Sequence, residues 1–455
     1  MSFTRRKFIK DFTIAAGGAV LDFTLDTHPF NRDTKHVIIL GAGLSGMTAA
    51  YSLIQRGYTC EIFEARNRLG GRVFSHMMDR EDNLVIELGA EWIGESHQRI
   101  LALCEEFGLK VLDNRFEVDL LYGGEYSQAQ DWDYSEQANE IFDFMYKGYS
   151  TWNTETLKML DQIDWWRFLV NHGISGKDLK IRELLDSTDF GESIRQVSAY
   201  VAISEYSDSS ETHELDFKIE GGNHQLVKAL AERIGSQHIH LGVPVTAVEQ
   251  DSKGVRIFTS EGKTAVGDYL ICTIPTYSIL KMKWKPGLSN DRIAAFNQLQ
   301  YGRINKYAML YSERFWKKEN FSLISDLPGH YYYHGTKNQR SEKGVLISYS
   351  IGEKAAVFGS CTPEQRFTLA SLSLESRFGD VRPMLKNAVN YYWGTDAYSF
   401  GAYALYGPDQ WFRWSPLLRQ PENRIFFAGE YVAEWTGFME GAVESGQQAA
   451  SMIMQ

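Results

Sequence analysis

A glycine-rich turn, Gly41-Ala42-Gly43-Leu44-Ser45-Gly46, follows the apolar run His36-Val37-Ile38-Ile39-Leu40 and leads into helical sequence from Met47 to Arg56. Gly41 allows a tight turn out of a strand, Gly43 lets the backbone approach a pyrophosphate, and Gly46 lets helix and strand pack closely, so that phosphate sits on the positive end of the helix. A second strand, Thr59-Cys60-Glu61-Ile62-Phe63, ends at Glu64. That acid lies about twenty residues past the first glycines, where a carboxylate accepts from ribose hydroxyls. Strand, turn, helix, strand and acid together predict a bound dinucleotide.

The chemistry narrows directly after the acid. In Glu64-Ala65-Arg66-Asn67-Arg68-Leu69-Gly70-Gly71-Arg72 two glycines bring the chain close to a cofactor, flanked by arginines able to hold phosphate or a polarised ring edge. This run resembles the E-A-R-x-R-x-G-G-R signature of the flavin amine oxidase family, which includes monoamine, polyamine and L-amino-acid oxidases. The resemblance continues through Gly89-Ala90-Glu91-Trp92, Glu220-Gly221-Gly222-Asn223, the strand Val243 to Val248 with Val245 beside the adenine, and Asp268 to Pro275. It closes with Arg424 to Glu430 and Gly437-Phe438-Met439-Glu440-Gly441, where Gly429 and Glu430 would face the ribityl and phosphate region. It implies FAD as cofactor and hydride transfer from the carbon beside an amine nitrogen to flavin N5, in a dry site that favours the neutral amine.

The same resemblance assigns roles. Lys306, in Tyr301-Gly302-Arg303-Ile304-Asn305-Lys306, matches the lysine that holds a water near N5 and helps reoxidation by oxygen. Tyr403 and Phe438 fall where monoamine oxidases place two facing aromatics as a cage for the amine, with Trp393 and Trp92 as further walls. Three departures matter. Ala402 stands where a cysteine attaches FAD in mammalian-type monoamine oxidases, so the cofactor is expected to be non-covalent. Gly94 stands where polyamine oxidases carry an acid, with Glu95 one step off. The arginine stretch that clamps an amino-acid carboxylate is absent, leaving Arg99 and Arg303 as substitutes.

Positioning these residues takes more than one core, and 455 residues suit two domains. The expected fold is α/β: a discontinuous Rossmann-like FAD-binding domain over 34–115, 215–290 and 395–455, with a mixed-sheet plus helical substrate domain over 116–214 and 291–394. The first insertion has helical periodicity, with Trp152, Trp165, Trp166 and Phe168 on an apolar face. The second mixes strands, Tyr307 to Tyr311 and Val345 to Tyr349, with a helix from Pro363 to Arg377. A net charge of −11 and the lack of a basic aromatic stripe argue against nucleic acid. Cys60, Cys104, Cys272 and Cys361 form neither a metal pattern nor a disulfide framework. No metal site is expected.

Residues 1–33 read as a leader and linker. Arg5-Arg6-Lys7-Phe8-Ile9-Lys10, before a short apolar run interrupted by Asp22, resembles a twin-arginine export signal. That implies an exported or periplasmic protein, membrane-associated if the leader stays uncleaved, with the export machinery as a partner. The expected activity is oxidative deamination of a primary or secondary monoamine, giving imine or aldehyde, with oxygen or a redox carrier as acceptor and hydrogen peroxide if oxygen serves. The alternatives are an L-amino-acid oxidase and a non-catalytic flavin scaffold. Either a monomer or a homodimer is compatible with the sequence.

Overall fold

The computed structural model describes residues 34–209 and 214–455. The leader and linker expected over 1–33, Arg5 and Arg6 included, lie outside the described residues. The fold is mixed α/β, built on a Rossmann-like parallel sheet whose strands come from distant parts of the chain. Their order is Ile425–Phe427, Tyr269–Cys272, His36–Leu40, Thr59–Phe63 and Ile239–His240. The central strand is apolar throughout because both of its faces are covered: Val37 and Ile39 enter one core with Met47, Ala50 and Val443, whereas Ile38 and Leu40 enter another with Val248, Ile257 and Trp411.

Two glycines set how closely the covering helices approach. A Cβ on Gly46 would lie 2.1 Å from the Gly41 carbonyl oxygen, and one on Gly446 would lie 2.3 Å from that of Ser45. The helix Leu44–Ile54 is thereby pressed against both the strand behind it and the C-terminal helix Met439–Met454.

A second sheet has seven strands, ordered Leu385–Tyr392, Ile304–Tyr311, Gly344–Ile351, Tyr331–His334, Phe321–Ser325, Glu117–Tyr122 and Glu125–Ser127. The first insertion therefore opens with a hairpin rather than a helix, and its first strand runs parallel to Phe321–Ser325. Helices follow as expected, several started by side-chain caps: Ser135 accepts from the Ala138 amide and Asp164 from that of Arg167. Trp165 and Phe168 are buried and stacked with centroids 5.5 Å apart. Trp152 and Trp166 are only half-buried, and Trp166 lies under the Arg195 guanidinium. Val245–Gln250 belongs to a separate four-stranded sheet with Val255–Thr259, Thr264–Gly267 and Lys283–Lys285. Cys60, Cys104 and Cys272 are buried as small hydrophobes, and none of the four cysteines is bonded to another.

The chain passes between the parallel and seven-stranded sheets four times, before Glu117, after Asp208, before Ile304 and after Tyr392. Among the described residues no helix is long and apolar enough to cross a membrane.

Candidate active site

A cavity of about 490 Å³ opens where the C-terminal ends of the parallel strands face the seven-stranded sheet. Leu40, Phe63, Thr273 and Gly429 line it from one side, and Ile304, Lys306, Ile324 and Tyr349 from the other. Ligands of open parallel sheets bind at this edge because the strand ends and helix N-termini converge there. Of the residues expected to hold the cofactor or cage the amine, Gly46 alone does not line the cavity; it acts beneath, in the helix-to-strand contact.

One half of the cavity suits a dinucleotide. Gly41 turns the chain at φ +102°, and the following helix starts at Gly43 with no side-chain cap, leaving its first-turn amides for an anionic ligand. A Cβ on Gly43 would meet nothing nearer than 4.0 Å, so the turn is open on the ligand side. The Glu64 carboxylate sits at the end of its strand and accepts from the amides of Ala42 and Arg66, both at 2.8 Å. The two flanking arginines are committed to carboxylates: Arg66 pairs with Asp396 and donates to Ser399 at 2.9 Å, and Arg72 pairs with Glu430. Arginine, acid and backbone thus frame the cavity wall; neither guanidinium is held in reserve for phosphate alone.

Lys306 sits in the interior of the seven-stranded sheet, opposite Tyr349 on one neighbour and Tyr391 on the other. Its ammonium donates to the Glu87 carbonyl at 3.1 Å, the Gly89 carbonyl at 2.9 Å and Glu91 Oε2 at 3.0 Å, and lies over the rings of Trp92, Tyr333 and Tyr349. An ammonium has three protons, and all three are taken by the protein. Tyr333 donates to the same Glu91 oxygen at 2.5 Å, and Glu91 Oε1 is buried without a partner. Burial and the charge of Glu91 push the nearby Glu87 carboxyl up to about 7.

Tyr403 and Phe438 both line the cavity, and Gly437 packs against the Tyr403 ring at 2.8 Å from its would-be Cβ. The Tyr403 hydroxyl donates to the carbonyls of Asp189 and Thr188. Phe438 meets His97 and Trp435 edge-on, at 5.1 and 5.6 Å. Trp393 donates its indole N–H to the Leu88 carbonyl at 2.8 Å, and Trp92 stands against Tyr333.

The half under the seven-stranded sheet holds residues that no motif flagged, among them Leu185, Asp189, Phe190, Glu205, Tyr206 and Tyr331. Most are apolar or aromatic. Neither substitute for a carboxylate clamp reaches it. Arg303 makes a two-pronged bond to Glu192, at 2.7 and 2.9 Å, and Arg99 points to Gln447 at 2.9 Å with a half-exposed side chain. Both lie outside the cavity lining. Among the described residues no cluster of three His, Cys, Asp or Glu side chains suits a metal ion.

The model of the family described as flavin-containing amine oxidoreductase matches residues 44–454. Flavin-containing amine oxidase B from Homo sapiens is 26% identical over 92% of this chain and 86% of its own length. The flavin-dependent L-tryptophan oxidase RebO from Lentzea aerocolonigenes is also 26% identical, over 93% and 98%. Among solved structures, cyclohexylamine oxidase from Brevibacterium oxydans superposes with a TM-score of 0.82 at 22% identity, over 92% of this chain and 99% of that one. Putrescine oxidase bound to putrescine gives 0.80 at 22% identity, over the same shares.

Proposed function

The chain belongs to the flavin-containing amine oxidoreductase family, an enzyme with FAD as its cofactor, and from that premise we propose that it oxidatively deaminates a primary or secondary monoamine. The observation that carries this reading is the character of the half under the seven-stranded sheet: mostly aromatic and apolar walls, with acids but no arginine among its described residues to receive a carboxylate. FAD supplies an acceptor for the hydride leaving the carbon beside the nitrogen. The chain's part is to bind and orient. The uncapped helix at Gly43 and the Glu64 carboxylate would hold the dinucleotide, while Tyr403 and Phe438 would guide the neutral amine and exclude water. Lys306 would place a buried positive charge at the flavin edge to assist reoxidation.

Ala402 lines the cavity and no cysteine does, which supports a cofactor held without a covalent bond. An L-amino-acid substrate is the competing reading, favoured by the L-tryptophan oxidase relative and opposed by the positions of Arg303 and Arg99. An unpaired carboxylate in a dry pocket costs several kcal/mol. Anaerobic mixing of the purified yellow protein with matched amines and α-amino acids decides between them. Faster bleaching of the flavin by the amine supports the proposal; faster bleaching by the amino acid overturns it. A scaffold without catalysis would bleach with neither. We further propose export by the twin-arginine route. Changing Arg5 and Arg6 to lysine should retain active, FAD-loaded enzyme in the cytoplasm, and wild-type enzyme found wholly in the cytoplasm with an intact N-terminus would refute export.

A further inference from the structure

We propose that Asp189 is a second recognition point in the cavity, which receives a proton-donating group, an ammonium or a hydroxyl, at the far end of the substrate. The inference rests on the amine-oxidation reading and deepens it by naming what the rest of the amine carries.

Asp189 lies in the last turn of the helix Gly176–Phe190, three residues after Asp186 and so on the same side of it. The two acids have different fates. Asp186 is closed off, accepting from Arg182 Nε at 2.8 Å and from the Trp165 indole. Asp189 lines the cavity; its Oδ2 accepts from the Tyr206 hydroxyl at 2.9 Å, and its Oδ1 has no hydrogen-bond partner among the described residues. Leu185, Phe190, Val201 and Ile324 form the wall around it. A carboxylate in such surroundings is costly unless paired, and burial with the charge of Asp186 pushes this one up to about 7.

Among the described residues the groups facing it offer no compensating cation. Asp186 and Arg182 are on its own helix, Glu205 and Tyr206 on the helix Ala199–Asp208, and Tyr146 on the helix Glu136–Tyr149; Tyr331, Tyr349 and Tyr403 face it from the sheet and the loop. Arg182 is the one base among these described groups, and it is committed to Asp186. Position then gives direction. The Tyr403 hydroxyl donates to the backbone carbonyl of Asp189, which places this residue at the hydroxyl end of that ring, whereas Lys306 is held by Gly89 and Glu91. An amine held beside Tyr403 extends its other end toward Asp189. An apolar tail would leave Oδ1 without a donor; a tail ending in N–H or O–H would supply one.

The test is anaerobic stopped-flow bleaching of the holoenzyme with a length-matched series, an alkylamine, its terminal amino alcohol and its terminal diamine, resolving dissociation constant from limiting rate. Wild type should bind at least one donor-terminated amine roughly 10- to 100-fold more tightly than the alkylamine, the range expected of a hydrogen bond to a charged group. Asp189→Asn should lose that preference through the dissociation constant with a limiting rate close to wild type, and Asp189→Glu should recover part of it. Whether the diamine or the amino alcohol leads identifies the donor. Bleaching by all three with equal affinity, or a preference that survives in Asp189→Asn, overturns the proposal and leaves amine oxidation standing. Bleaching by none, with an amino acid active instead, overturns the amine reading itself.

Discussion

Lys306 spends every ammonium proton inside the protein, so in the proposed function it acts on the cofactor as a fixed charge. Lys306→Met deletes that charge and strands Glu91, whose other oxygen is already unpaired. Breaking a buried pair in this way costs about 3–5 kcal/mol. Adding Glu91→Gln should restore most of the stability, measured by urea unfolding, while reoxidation of the reduced flavin by oxygen stays slowed about tenfold or more. Oxygen reactivity that returned with stability would make the lysine purely structural. A second residue sets a pH dependence. Asp161 accepts from the Ser198 hydroxyl at 2.6 Å and the Phe412 amide at 3.3 Å, yet burial pushes it up to about 6. The folded protein keeps this proton at a pH where the unfolded chain has shed it. The stability so contributed is full below the unfolded value near 4 and is lost as pH rises through about 6, a change of about 3 kcal/mol. Asp161→Asn should flatten the urea midpoint between pH 4 and 7; an unchanged slope would assign the dependence to other acids. At this scale the motifs located Lys306, Tyr403 and Phe438, because each sits in a run of distinctive neighbours. Asp189 and Glu192 gave no such signal, since an acid on a helix reads as solvent-facing, and Arg303 was misplaced because its partner Glu192 lies 111 residues away.

Among the elements, the pair of helices Leu44–Ile54 and Met439–Met454 carries the cofactor end of the site. Gly446→Ala forces a Cβ to 2.3 Å from the Ser45 carbonyl, so the helices must part by more than a side chain can absorb. The variant should lose about 1–3 kcal/mol and retain less FAD on purification, read from the ratio of flavin to protein absorbance. Gly287→Ala, where nothing lies within 4 Å, serves as the control and should behave as wild type. Equal flavin content in both variants would show that the helix contact does not position the site. Elements such as Thr59–Phe63, Ile304–Tyr311 and Pro363–Phe378 were legible because their apolar patterning is local. The hairpin Glu117–Ser127 was not. Its strand pairs with Phe321–Ser325 about two hundred residues later, and the buried Asp119, satisfied by Tyr126 and the Ala129 amide, breaks the alternation that would have marked it.

For the whole molecule the cofactor is the simplest probe. Acid precipitation should leave yellow colour in the supernatant, because Ala402 offers no sulfur and the four cysteines lie off the cavity. Colour in the pellet would locate an attachment elsewhere. In the dinucleotide half of the cavity the turn over 41–46 and Glu64 were readable from spacing, since phosphate recognition is done by backbone, whose needs appear as glycines, and the rest of its wall was reached through the family resemblance. The opposite half was not, since its walls come from helices and strands whose order in space no local pattern states. The chain's four passages between the sheets, together with the bond from Lys306 to the Glu87–Glu91 loop, have a consequence for traffic. A hinge works when few connections must bend; here every passage would have to flex in concert and a buried ion pair would have to break. Gating by rigid-body opening is therefore disfavoured, and the route by which amine enters and product leaves is a local one, through side chains and loop at the mouth of a cavity whose frame stays shut.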